Sequence, residues 1–331
     1  MLKEMILKNP TWQTLIPGLP DYIPLDSNQA ENLLEEVQLK GAVYQVCFEN
    51  QLSNFYLIKD QQNEREYFVK SFEEEHFEHY QHAEHLAQWL QMQGIKTNSA
   101  LSSKSKNYYI YPFLDGTRLN SSIDALKSLG GSLAKMHEAL KNYPLQDSII
   151  TKTNNRIFKL NEIREQIAKG QVKIGPFPEY VRSLATNSDL NFTQGANTQV
   201  LHGDLHPGNM LMVDNHIYFF DFEDALHSYL PIIYELALVL ERLVFVRHNS
   251  FDYILELGKH FMAAYFENGG SYFYSETDKF ALSTIALRSL CVLTLCEMEG
   301  NRIYEEEWRK FYTLSELAQK MQIILNKILQ V

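Results

Sequence analysis

The stretch Leu201-His202-Gly203-Asp204-Leu205-His206-Pro207-Gly208-Asn209 leads directly into Met210-Leu211-Met212-Val213-Asp214-Asn215-His216-Ile217-Tyr218-Phe219-Phe220-Asp221-Phe222-Glu223. Met210 to Val213 and His216 to Phe222 are apolar, β-prone runs. Asp214-Asn215 between them tolerates positive φ and reads as a tight hairpin turn. A two-residue loop sets Asn209 opposite Phe220, and a three-residue loop sets it opposite Asp221; either register brings Asn209 and Asp221 to the open end of the hairpin. An amide oxygen and a carboxylate converging there suit a hard divalent cation such as Mg²⁺, which takes its remaining ligands from water and phosphate. Asp204 sits on a loop turned by Pro207-Gly208, near the metal without having to ligate it. A carboxylate so placed can accept a proton from a substrate hydroxyl.

His202-Gly203-Asp204 followed by Asn209, then Asp221 after a hairpin, resembles the H-G-D-x-x-x-x-N and D-F-E/D motifs of the aminoglycoside phosphotransferase and choline kinase family. The resemblance implies an α+β, bilobal protein kinase-like fold, with a small antiparallel-sheet N-lobe and a mostly helical C-lobe. It implies Asp204 as catalytic base, His202 as a brace of the catalytic loop, and Asn209 and Asp221 as Mg²⁺ ligands. Glu223 and Asp224 match the acidic tail of the second motif, and Tyr234-Glu235-Leu236-Ala237 resembles the helix that follows, where Asp is commoner than Glu235. His202, Asp204 and His206 alone also spell a zinc-hydrolase cluster. That reading leaves Asn209 and Asp221 unexplained.

A kinase-like fold requires a lysine on an upstream strand. Val43 to Phe48, Phe55 to Ile58 and Arg65 to Phe72 read as successive strands with polar turns at Glu49 to Asn54 and Lys59 to Glu64. Lys70 lies in the third, on the face shared with Phe68 and opposite Val69 and Ser71, where it needs an anion such as the ATP phosphates. The resemblance places the phosphate-covering loop at Glu49 to Asn54, which has no glycine and offers Ser53; Lys40-Gly41-Ala42 is the alternative. Glu73 to Gln93 reads as a helix with Phe77, Tyr80, Ala83, Ala87 and Leu90 inward. Glu84 borders that stripe and is the expected partner of Lys70, with Glu78 also available. Asn107 to Gly116 reads as a strand broken at Pro112. By resemblance it is the hinge, with main-chain groups from Tyr111 through Phe113 to Leu114 presented to adenine. Ile123 to Leu140 forms the next amphipathic helix, with His137 read as structural.

The expected lobes are 1–113, including an N-terminal extension 1–40 with a helix at Asn28 to Val37, and 114–331. An insertion at about 142–198 carries an amphipathic helix marked by Ile157, Leu160, Ile163 and Ile167. The 331 residues suit a two-lobed kinase, and Met1 to Trp12 has no signal-peptide core. Cys47, Cys291 and Cys296 are too scattered for a disulfide framework or zinc site, which points to the cytoplasm. No membrane span is expected, because Glu235, Glu241, Arg242 and Arg288 interrupt the most apolar stretches.

A net charge of −11 argues against nucleic acid. Glu297, Glu299, Glu305, Glu306 and Glu307 form an acidic cluster that would draw a cationic acceptor such as an aminoglycoside or amino alcohol, unless they are a solvated helix face. The expected activity is transfer of the γ-phosphoryl group of ATP or GTP, with Mg²⁺, to a hydroxyl of a small molecule. A protein serine or threonine is the alternative acceptor, and a metal-dependent hydrolase the alternative chemistry.

Overall fold

A computed structural model describes residues 20–48, 51–101, 107–193 and 197–330; Met1 to Trp12, Glu49 and Asn50 lie outside them. The chain divides into two units, one holding residues 20–118 with Met210–Glu223 and the other Leu119–Asn209 with the chain from Asp224 onward. The hairpin thus groups with the N-terminal unit, and the first boundary falls after Arg118 rather than at 113.

In the first unit, β1 (Asp21–Pro24), β2 (Gly41–Phe48), β3 (Gln51–Asp60), β4 (Glu66–Ser71) and β5 (Tyr108–Pro112) form an antiparallel sheet in that order. Helix α1 (Ser27–Val37) starts where Asp26 accepts the N–H groups of Asn28 and Gln29, both at 3.1 Å. It ends at Gln38, which takes a left-handed φ of 57°. Strand alternation decides what each sheet face does. Val43, Ile58, Tyr67, Val69 and Ile110 pack against Leu33 and Val37 of α1. Lys70 pairs in register with Phe55, on the face that also carries Phe68, whose ring stacks on Phe55 at 5.1 Å. A 3-10 turn at Glu74–His76 leads into α2 (Phe77–Met92), which buries Ala83, Leu86, Ala87 and Leu90.

The second sheet of this unit joins β6 (Thr117–Arg118) to the hairpin β7 (Met210–Val213) and β8 (His216–Phe219). Val213 pairs with His216, so the two-residue loop is the one formed; Asp214 and Asn215 have φ of 48° and 62°, as a type I′ turn demands. Phe219 anchors the hairpin beside α2: its N–H donates to the Lys96 carbonyl (3.0 Å) and its carbonyl accepts from Asn98 N–H (3.2 Å). β8 stops at Phe219, earlier than the apolar run to Phe222, and Asp221 turns away with a φ of 66°.

The second unit is helical. Ser122 caps α3 (Ile123–Leu140), and α4 (Gln146–Ala168) and α5 (Pro178–Ala185) occupy the expected insertion, with Ile157, Leu160, Ile163 and Ile167 buried as their spacing predicts. α6 (Ile232–Leu240) passes into a π-helical turn at Glu241–Phe245 and is followed by α7 (Phe251–Glu267), α8 (Ala281–Met298) and α9 (Glu305–Leu329). Gly130 lets α3 approach α7 closely, since a Cβ there would lie 2.4 Å from the Phe261 carbonyl oxygen. Glu276–Met298, with mean hydropathy 1.6, is long and apolar enough to cross a membrane by length and composition; more than half of its apolar window is buried inside the fold. A two-stranded ribbon, Thr198–Val200 with Tyr229–Pro231, leads directly into the loop that begins at Leu201.

Candidate active site

In the helical unit, the loop Leu201–Asn209 is held from behind by one buried carboxylate. Glu235, at the start of α6, accepts the N–H of Gly203 at 2.7 Å and that of His202 at 3.2 Å. Its Oε2 also meets His137 Nε2 at 2.8 Å, while His137 Nδ1 lies 2.8 Å from the Tyr265 hydroxyl. Burial opposes the charge on Glu235, but the hydrogen bond and charge of His137, with His202 and the Gly203 N–H, outweigh it and leave the pKa below 4.5. Gly203 has a φ of 89°, and a Cβ there would fall 2.2 Å from Ser228 Oγ. Only glycine fits this turn, so the G of the H-G-D motif has a steric cause. His202 is fully buried, and the loop is braced through its main chain as well as by His137. His137 is therefore structural, as its isolation in the sequence suggested.

Asp204 follows this clamp with a half-exposed side chain. His206 Nδ1 accepts the Gly208 N–H at 2.9 Å, so a neutral ring carries its proton on Nε2, which faces Asp204 Oδ2 at 3.4 Å. Burial raises the Asp204 pKa, but the hydrogen bond and charge of His206, assisted by His202 and Arg242, bring it down to about 2. Asn209 Nδ2 donates to the main-chain oxygen of Asp204 at 2.9 Å. A carbonyl can only accept, so this bond fixes the amide and leaves its oxygen for a ligand. Alongside the same loop, Arg156 of α4 donates to Asp224 at 2.6 Å.

In the sheet unit, Lys70 is only 7% exposed. It pairs with Glu223 and lies 3.5 Å from Asp221, with the rings of Tyr80 and Phe55 at 4.7 and 5.4 Å. Burial opposes its charge, and Asp221 and Glu223 restore it strongly enough to raise the pKa overall. Burial and the neighbouring Asp221 push Glu223 up. Asp221 supplies a hard carboxylate oxygen from a backbone conformation that few non-glycine residues adopt; such strain concentrates at functional sites.

Several expectations need correction. Glu84 does not pair with Lys70. It accepts from the Tyr111 hydroxyl (2.5 Å) and from Ala100 N–H (2.8 Å), and burial raises its pKa above 4.5. Ser53 lies within β3, not in a phosphate loop: its hydroxyl donates to the Val46 carbonyl (2.7 Å), beside the register shift between Gln45 and Cys47. The Phe113 N–H donates to the Glu66 carbonyl at 3.0 Å. By the two-residue alternation of an antiparallel ladder, the main-chain groups of Tyr111 then pair with Phe68. The Phe113 N–H and the main-chain groups of Tyr111 are therefore engaged by β4.

The hydrolase cluster is not assembled either. Among the described residues, the group of three potential ligands close enough to share a metal is the exposed Glu73, Glu75 and His76, not His202, Asp204 and His206. The acidic cluster has local tasks. Glu297 accepts from Trp308 Nε1 (3.1 Å), Glu299 lies 3.9 Å from Lys159, Glu305 bonds Arg309 Nε (2.9 Å), and Glu307 lies 3.4 Å from Lys310. Glu305, Glu306 and Glu307 also occupy the first turn of α9, where carboxylates favour the helix dipole.

Sequence reasoning missed Glu223 as the partner of Lys70, although its position two residues after Asp221 was a signal. Nothing local in the sequence marked Arg156, the Tyr111 hydroxyl as donor to Glu84, or Glu235 as acceptor of the Gly203 N–H.

With the motifs in place, the model of the phosphotransferase enzyme family matches residues 48–272. The chain belongs to the phosphotransferase enzyme family. No curated protein sequence matches it. Solved members share the kinase-like α+β fold at low identity. Choline kinase LicA from Streptococcus pneumoniae aligns with a TM-score of 0.60 and 15% identity over 88% of this chain and 99% of its own. A spectinomycin phosphotransferase, solved with ADP and spectinomycin, gives 0.59 and 13% over 90% and 99%. An amicoumacin kinase, solved with AMP-PNP, calcium and its antibiotic, gives 0.55 and 14% over 90% and 94%. As a member of this family the chain is a phosphotransferase.

Proposed function

We propose that the chain transfers the γ-phosphoryl group of ATP, or of GTP, to a hydroxyl of a small molecule. The observation that carries this reading is the loop Leu201–Asn209. Glu235 clamps its main chain, Asp204 is kept ionised, and the Asn209 amide is turned so that its oxygen is left to bind. Asn209 offers an amide oxygen and Asp221 a carboxylate oxygen, and such hard donors would suit Mg²⁺ rather than zinc. When bound, Mg²⁺ would neutralise phosphate oxygens as charge develops on them.

Lys70 would exchange part of its contact with Glu223 and Asp221 for the phosphates. Burial beneath aromatic rings makes an unpaired lysine costly, so an anion is always required there. Asp204 would align the acceptor hydroxyl on the γ-phosphorus. As the new P–O bond forms and the bond to the β-phosphate oxygen breaks, the hydroxyl proton passes to the Asp204 carboxylate and ADP leaves. A carboxyl with a pKa near 2 is a weak base, so it takes the proton late. A loose phosphoryl-transfer transition state needs no earlier deprotonation.

The small-molecule acceptor is favoured over a protein serine or threonine by the structural neighbours, which are named as kinases of choline, spectinomycin and amicoumacin. Those names bring amino alcohols and amino sugars forward as acceptors to test. Cys47, Cys291 and Cys296 are free thiols, which supports a cytoplasmic enzyme.

The test is turnover of labelled ATP against a panel of amino sugars, amino alcohols, sugars and hydroxy amino acids, with Lys70→Ala and Asp221→Asn as controls. Both variants should weaken MgATP binding and turnover. Normal affinity and normal turnover in both would remove the nucleotide site assigned here.

A further inference from the structure

Arg288 is the one arginine among the described residues that is fully buried, at 5% exposure. It projects from the middle of α8, and its guanidinium lies over the Tyr234 ring, 4.8 Å from the centroid. Among the described residues no carboxylate pairs with it, and its buried Nε has no hydrogen-bond acceptor. Other arginines of the helical unit have partners. Arg156 holds Asp224 at 2.6 Å, Arg164 Nε donates to the Ala185 carbonyl at 2.8 Å, and Arg242 lies 3.1 Å from Glu241. A guanidinium cannot shed its charge, and the face of one tyrosine offsets only part of the cost of burying it.

Through Tyr234, Arg288 packs against α6, the helix whose Glu235 clamps the catalytic loop. Tyr234 directly precedes Glu235, whose carboxylate bonds the Gly203 N–H at 2.7 Å, one residue before Asp204. Asp224, the partner of Arg156, also crowds that glycine, its carbonyl oxygen 3.0 Å from where a Gly203 Cβ would stand. The Tyr234 phenol, pushed up chiefly by burial, feels Arg288, Asp224, Asp204 and Arg156 together. An acceptor hydroxyl at Asp204 and the uncommitted planar cation would thus share Tyr234 as a common neighbour.

We propose that Arg288, with the Tyr234 hydroxyl beside it, binds a carboxylate on the phosphoryl acceptor, so that the substrate is a hydroxylated carboxylic acid such as a hydroxy amino acid. The proposal rests on the phosphotransferase reading and narrows its acceptor. The planar fork of an arginine matches both oxygens of a carboxylate, and such charge-assisted bonds discriminate strongly against a ligand that lacks the acid.

The test uses matched pairs that differ by one carboxylate: L-serine with ethanolamine, and L-homoserine with 3-amino-1-propanol. Each is assayed for phosphorylation by labelled ATP with the full chain. The acid of a pair should be preferred in kcat/KM by about tenfold or more, the value of one charged hydrogen-bond partnership. Arg288→Met should erase the preference by raising KM for the acid while nucleotide affinity stays normal. Arg288→Lys, which keeps the charge over Tyr234 but loses the fork, should fold and fall between the two. Preference for the amino alcohol, retention of the acid preference in Arg288→Met, or silence of every pair in a chain that binds MgATP would overturn the assignment. Failure of the wild-type chain to bind MgATP at all would remove the phosphotransferase reading, and this proposal with it.

Discussion

Replacing Glu235 tests whether one buried carboxylate holds the catalytic loop. Its two oxygens receive three donors: the Gly203 N–H at 2.7 Å, the His202 N–H at 3.2 Å and His137 Nε2 at 2.8 Å. Glu235→Ala leaves all three buried without an acceptor. Removing one member of a buried charged network costs about 3–5 kcal/mol. At roughly 2 °C per kcal/mol for a chain of this size, Tm should fall by about 6–10 °C. Glu235→Gln is the sharper probe. Its amide oxygen can serve Gly203, but its NH₂ then faces the His202 N–H, donor against donor, while His137 can shift its proton to Nδ1 and accept instead. One unmatched N–H costs about 1–3 kcal/mol, or roughly 2–6 °C. The pH dependence follows from the lowered Glu235 pKa. A carboxyl depressed on folding adds stability that is full above its unfolded value near 4.5 and fades as pH falls through the folded value. The melting difference between wild type and Glu235→Gln should accordingly be constant from pH 6 to 8 and narrow below about pH 4.5. Melting curves across that range, with turnover measured in parallel, provide the assay. A Glu235→Gln protein that melts within 1 °C of wild type and turns over normally would show that the loop is held by something else.

Further outcomes follow from the same geometry. Asp204→Ala should leave nucleotide affinity within a few-fold of wild type yet lower kcat by about 10²–10⁴, read by steady-state kinetics and equilibrium nucleotide binding; near-normal transfer would eliminate Asp204 as the base. Glu84→Gln should change kcat/KM for ATP only a few-fold, because Glu84 bonds Tyr111 and Ala100 rather than Lys70, whereas Glu223→Gln should disturb Lys70 and weaken ATP binding more. The reverse ranking in ATP titrations would restore the Lys70–Glu84 pair. Activity should require Mg²⁺ or Mn²⁺, and elemental analysis should find no stoichiometric zinc; one tightly held zinc lost on changing His206 would revive the hydrolase.

The sequence alone determined what short-range physics controls. Asp214-Asn215 could only make a tight turn, so the hairpin and the placement of Asp221 beyond it were legible. The 3.6-residue spacing of Ile157, Leu160, Ile163 and Ile167 announced α4, and strand alternation put Lys70 on the face away from Val69. The loop motif fixed the candidate base and the amide ligand because its residue types and spacing are themselves the chemistry.

The tertiary structure decided which groups meet. Lys70 takes Glu223, 153 positions away, instead of Glu84, because α2 aims Glu84 at Tyr111 while the hairpin anchored at Phe219 delivers Glu223 and Asp221. Ser53 and Phe113 are candidates by position alone, yet the ladder of the sheet consumes their hydrogen-bonding groups first, since a buried main-chain donor or acceptor must be satisfied. Arg288 reads in the sequence as one charge interrupting an apolar helix. Only the packing of α8 against Tyr234 shows that it is buried and uncommitted, because a side chain's environment depends on helices joined by long stretches of chain and carries no local signature.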